Sequence, residues 1–156
     1  MVGDSIHPHN EILNGLLENE LKRSLRYQHF TSILLFEAHP KGAIGKDENS
    51  LDTAERMEAL IRKEIRETDI VSMYNGNAVI VVLLYSDKNI ALKVCDRLCK
   101  WISNYLCSAG KNSQTLSVGG ACFPSHATDS RSLCQKAFEM VERAKANGGN
   151  CVRILA

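Results

Sequence analysis

The sequence predicts an α/β fold with a single sheet covered by helices, and three observations carry that expectation. Ile70 to Tyr74 and Ala78 to Leu84 are short apolar runs rich in β-branched residues, and they flank the turn Asn75-Gly76-Asn77, so together they read as a hairpin. The run Val79-Ile80-Val81-Val82-Leu83-Leu84 has no polar face, which places the second hairpin strand inside the sheet with cover on both sides. Segments of helical period alternate with strand-like segments along the rest of the chain.

Residues 1 to 9 lack periodicity and read as a flexible lead-in, leaving 10 to 156 as a single domain. Ile12, Leu13, Leu16, Leu17, Leu21 and Leu25 recur at helical spacing, with Asn10 as N-cap and Lys22, Arg23 and Arg26 toward the C-terminal end. Phe30 to Phe36 reads as a strand stopped by Pro40 and the Gly42 to Gly45 loop. Asn49, Ser50 and Asp52 are start signals for a helix to about Arg66, with Leu51, Ala54, Leu60, Ile61 and Ile65 inward. After the hairpin, Asp87 opens a helix to about Cys107, whose periodic residues include Ile90, Val94, Leu98, Trp101, Ile102 and Tyr105. Ser108 to Gln114 is a polar loop, and Leu116 to Phe123 a strand interrupted at Gly119-Gly120. A helix from about Thr128 to Asn147, with Leu133, Ala137, Val141 and Ala144 inward, ends at Gly148-Gly149 before a closing strand from Cys151 to Leu155.

A chain of 156 residues, 44% apolar and 24% charged, suits one globular domain. A formal charge of +1 gives no electrostatic basis for nucleic acid or an anionic membrane. No apolar run reaches the roughly 18 residues of a membrane span, and Met1-Val2-Gly3-Asp4-Ser5 lacks a signal peptide's basic and apolar regions, which points to the cytoplasm. Of the six cysteines, Cys95 and Cys99 lie one helical turn apart, but no second pair stands at zinc-site spacing, so all read as reduced and packed. No metal or other cofactor is expected.

Arg66-Glu67-Thr68-Asp69, then four residues, then Tyr74, a glycine-containing turn and a buried strand resemble the diguanylate cyclase (GGDEF) family, whose signature runs R-x-x-D-x-x-x-R-Y-G-G-D-E-F. Leu21-Lys22-Arg23-Ser24-Leu25-Arg26 is similar to the family's lead-in helix, Leu116-Ser117-Val118-Gly119 to its S-[IV]-G strand, and Ala144-Lys145-Ala146-Asn147-Gly148 to its A-K-x-x-G ending. The resemblance covers about residues 11 to 156 and implies a ferredoxin-like βααββαβ palm with a mainly antiparallel sheet. It also implies the family's reaction, in which two GTP molecules are joined into cyclic di-GMP across a dimer. Metal ions there activate a ribose hydroxyl and neutralise phosphate, and such hard cations take carboxylate ligands.

Against that pattern, the signature is replaced by Asn75-Gly76-Asn77-Ala78-Val79 and keeps only its second glycine. The first-strand aspartates of D-x-D-x-F-K fall on Phe36 and Ala38 if Lys41 is the matching lysine, and Glu37 approaches the site only if the register slips by one. Gly76 and Lys145 stand where the family contacts nucleotide and Asp52 within one residue of its guanine-contacting aspartate, so the resemblance leaves the three as a remnant GTP site, with Gly149 in place of an arginine and without the usual N-D and G-H residues in the loop before Asp52. Arg66 and Asp69 match the family's R-x-x-D inhibitory motif and Arg97 another arginine of that site, which implies cyclic di-GMP as ligand. An arginine can fork onto phosphate or a guanine edge, and an aspartate can accept from guanine N–H groups. A local ion pair at a helix end is the alternative for Arg66 and Asp69.

Three functions follow as expectations. One is a non-catalytic signalling domain that senses cyclic di-GMP through Arg66, Asp69 and Arg97. A second is a protein-contact module without nucleotide, pairing with a partner or a second copy through the leucine-rich lead-in helix. A third is GTP binding or weak cyclase activity with rearranged ligands such as Glu37 or Glu48.

Overall fold

The computed structural model describes residues 8–40, 50–74, 78–108, 114–148 and 151–154. Its elements are α1 (Pro8–Tyr27), β1 (Thr31–Pro40), α2 (Ser50–Glu64), β2 (Ile70–Tyr74), β3 (Ala78–Leu84), α3 (Lys88–Ser108), β4 (Gln114–Phe123), α4 (Ser130–Ala146) and β5 (Cys151–Ile154). The five strands lie in the order β2-β3-β1-β4-β5, antiparallel except where β4 runs beside β5. The first four strands with α2 and α3 make the ferredoxin-like βαββαβ core. One helix is described between β1 and β2, against the two of the implied βααββαβ order.

Period-two alternation sorts the side chains into two cores. Leu34, Phe36 and Ala38 of β1 join Val79, Val81 and Leu83 beneath Ala54, Met57 and Ile61 of α2 and Cys95, Leu98 and Ile102 of α3. Ile33 and Leu35 join Ile80 and Val82 beneath Leu13, Leu17 and Leu21 of α1 and Leu133, Ala137 and Val141 of α4. Every residue of β3 is buried, as its unbroken apolar run requires.

Several boundaries differ from the sequence expectation for identifiable reasons. The first helix begins at Pro8, because proline suits a first helical turn. Strand β1 runs on through Pro40: among the described residues β3 pairs as far as Glu37 and β4 is the strand beside the end of β1, an edge position that tolerates proline. Its partner β4 therefore starts at Gln114 and is continuous through Gly119-Gly120. A Cβ at Gly119 would lie 2.3 Å from the Ala137 carbonyl oxygen and 2.4 Å from the Val141 nitrogen, so the glycine is what lets α4 approach the sheet. Trp101, expected to pack inward, is 50% exposed, and Ile90 is also exposed, because the inner stripe of α3 is Ala91, Cys95, Leu98, Ile102 and Leu106.

The α1–α4 layer is tied by a charged cap. The Ser130 N–H donates to Glu18 Oε1 at 2.7 Å, and the Ser132 N–H donates to Asp129 Oδ1 at 2.7 Å at the start of α4. Hydrogen bonds from Ser130 hold Glu18 below the ordinary 4.5, and those from Ser132 hold Asp129 below the ordinary 3.8. Both carboxyls bind protons less readily folded than unfolded, so their stabilisation is complete above these ordinary values and fades as pH falls through the lowered ones. Unfolding measured from pH 6 down to pH 2 should lose stability less steeply in the Glu18→Gln, Asp129→Asn double variant than in the parent.

Candidate functional site

Two clusters gather the predicted site residues. At the first, β1 enters the end of the sheet that carries the hairpin turn: Glu37 pairs across to Ala78 of β3 on one side and Ser117 of β4 on the other. Glu37 is the one acidic residue of β1, and its neighbours Phe36 and Ala38 point into the α2–α3 core. Alternation therefore turns Glu37 to the α4 face without any slip in register, the opposite of the placement expected from Lys41. Its carboxylate, with a side chain only 8% exposed, is ion-paired to Lys145 Nζ from the last turn of α4. Lys145 also reaches Glu142 Oε2 at 3.3 Å. Burial would lower the lysine's affinity for its proton, but the hydrogen bond and charge of Glu37, with Glu142, more than reverse this and raise it. Nearby, His39 Nε2 and Ser117 Oγ lie 2.7 Å apart and join β1 to β4.

Of the remnant GTP residues, Lys145 thus meets a carboxylate inside the protein, and Asp52 lies in the first turn of α2, its side chain outside the described residues, as is Gly76 of the turn. Glu48 also lies outside them. Among the described residues no group of three or more His, Cys, Asp or Glu side chains gathers as a metal site would need. Glu37 is neutralised by an ammonium, Ala78 offers a methyl group, and Phe36 and Ala38 are buried in the core.

The second cluster closes the α2–β2 junction. Arg66 Nε and Nη2 donate to Asp69 Oδ2 and Oδ1 at 3.1 and 3.2 Å, and the Arg66 N–H adds a bond to Oδ2 at 3.2 Å. Asp69 Oδ1 also accepts the Leu84 N–H at 3.1 Å, while Arg66 Nη2 donates to the Leu84 carbonyl and to Ser86 Oγ. The pair therefore pins the start of β2 to the end of β3. Arg97 crosses from α3 to donate from Nη2 to the Glu64 carbonyl at 3.0 Å, which satisfies one of the open carbonyls at the end of α2. Both arginines thus gather at one helix end. The Asp69 side chain is 2% exposed with both oxygens engaged, whereas that of Arg66 is 55% exposed. Asp69 accordingly acts on the arginine and not as an open acceptor.

The family model described as "Diguanylate cyclase, GGDEF domain" matches residues 53–151. The chain belongs to the GGDEF domain family. Its fold is that of solved GGDEF domains. That of YfiN (TpbB) from Pseudomonas aeruginosa superposes with a TM-score of 0.74 at 21% identity, over 94% of each chain. The active GGEEF domain of a diguanylate cyclase from Vibrio cholerae gives 0.74 at 16% identity, over 94% of this chain and 96% of that one. The GGDEF domain of DgcB from Caulobacter crescentus, in complex with cyclic di-GMP, gives 0.66 at 9% identity, over 92% of this chain and 88% of that one. No curated protein sequence matches it. Within this GGDEF domain, Glu37 is the site residue that sequence reasoning placed only conditionally. The signal that finds it is the single acidic side chain of β1 one strand position from a buried phenylalanine, with a lysine at the end of α4.

Proposed function

We propose that this GGDEF domain does not synthesise cyclic di-GMP but binds it, through Arg66 and Arg97 at the end of α2, with Asp69 holding Arg66 in place. The observation that carries this reading is the contrast between the two clusters. The carboxylate beside the signature turn is held by Lys145, while the side chain of Arg66 is more than half exposed, with its guanidinium plane already fixed by Asp69. A fixed guanidinium loses little freedom on meeting a phosphate, and two such contacts are consistent with micromolar affinity, on the order of 8 kcal/mol. The DgcB GGDEF domain supports cyclic di-GMP as the ligand class, since its structure contains that nucleotide.

Calorimetry with cyclic di-GMP tests this. Arg97 makes an exposed contact to one carbonyl, so Arg97→Ala should keep the fold and weaken binding at least tenfold. Absence of heat with the parent, or equal affinity in the variant, would overturn the nucleotide reading. The former result favours a second role, in which the fold serves contact with another protein or a second copy. A specific feature favours that surface: Leu13, Leu17 and Leu21 are buried, but Ile12, Leu16 and Leu25 of α1 are exposed at 68%, 48% and 68%.

A further inference from the structure

Cys95 and Cys99 stand one turn apart on α3, on its inward side, with their Sγ atoms 3.8 Å apart. Cys95 is 1% exposed, whereas Cys99 packs at the margin of the same core and remains partly open. Both are free, and so is the exposed Cys107 farther along the helix. The contact between the two thiols divides their acidities. A hydrogen bond from the Cys95 thiol favours the thiolate of Cys99 and lowers its proton affinity, while the same bond and burial raise that of Cys95.

We propose that Cys95 and Cys99 form a peroxide-sensitive dithiol that closes reversibly to a disulfide within α3. The Cys99 thiolate attacks one oxygen of hydrogen peroxide, breaks the O–O bond and becomes a sulfenic acid, and the departing hydroxide takes a proton and leaves as water. Cys95 then loses its proton and attacks Cys99 Sγ, forming the S–S bond and expelling a second water. Two thiols and one peroxide thus give one disulfide and two waters, with two electrons passing from sulfur to oxygen. Residues four apart on a helix have Cα atoms about 6 Å apart, inside the roughly 4.4–6.8 Å that a disulfide spans, but their Cβ atoms, about 5–6 Å apart, must close to about 4 Å, so the bridge distorts this turn of α3 and is correspondingly easy to reduce. The second thiol already touches the first, so the sulfenic acid meets its resolving partner once this one turn of the helix tightens.

Accessibility alone predicts a different order, with Cys107 reacting first, and that makes the proposal testable in the native chain. The reduced protein is treated with one equivalent of hydrogen peroxide, alkylated, cut with trypsin and analysed by mass spectrometry without reduction. Trypsin cleaves after Arg97, between the two cysteines, so the bridge appears as a link between Val94–Arg97 and Leu98–Lys100. The expected result is that link, two hydrogens lighter, reversed by a dithiol reductant, with Cys107 still alkylated. In Cys95→Ser the Cys99 sulfenic acid should persist long enough for dimedone to trap it. Alkylated Cys95 and Cys99 beside an oxidised Cys107 would overturn the proposal, whatever the serine variants do.

Discussion

Gly119→Ala is expected to lower stability by about 3 kcal/mol, roughly 10 °C in melting temperature for a domain of this size. The added methyl group would meet two backbone atoms of α4, the Ala137 carbonyl oxygen at 2.3 Å and the Val141 nitrogen at 2.4 Å, and also the Val141 side chain. A side chain could rotate away, but backbone in the middle of a helix cannot, so α4 must lift from the sheet or the strand must bend. Leu133, Ala137 and Val141 seal one of the two cores, and lifting their helix opens it. Lys145 sits on the same helix, so the variant should also loosen its contact with Glu37. Urea unfolding of the parent and the variant measures this, and a difference below 1 kcal/mol would mean that α4 does not approach the strand as closely as described.

Lys145→Met should cost about 3 kcal/mol, because it strands a carboxylate whose side chain is only 8% exposed. Removing one partner of a buried pair is far more costly than removing both, so the Glu37→Leu, Lys145→Met double variant should recover most of the loss. The proton affinity of Lys145 is raised by Glu37, so its contribution is fully present below the ordinary lysine value of 10.5 and is lost as pH climbs through the higher folded value. The gap between parent and Lys145→Met should therefore hold steady as pH rises from neutral and narrow in strong alkali. Equal stability of the two proteins at pH 7 would mean that the ion pair is not formed.

The limits of sequence reading appear in particular residues. The hairpin strands were legible to the residue because their apolar runs end at turn-forming side chains, and the helices of the two layers were legible from their period. Strand β1 was harder: Ile33, Leu34, Leu35 and Phe36 are apolar on both faces, so nothing in the local pattern says which face Glu37 takes. Only the pairing with β3 and β4, set by residues distant in the chain, decides it. Trp101 misled for the converse reason, since an apolar residue one position off the inner stripe keeps an approximate helical period while standing outside. The R-x-x-D spacing located Arg66 and Asp69, but not that Asp69 would be sealed under its own arginine by the Leu84 amide, a contact made across the hairpin.

The carboxylate of Glu37 is expected to serve Lys145 and not a metal ion. Incubation of the purified protein with GTP and magnesium or manganese, followed by chromatography of the nucleotides, tests it most directly. The GTP is expected to be recovered unchanged. Formation of cyclic di-GMP that is abolished by Glu37→Gln would contradict the claim, because that carboxylate would then be working in catalysis.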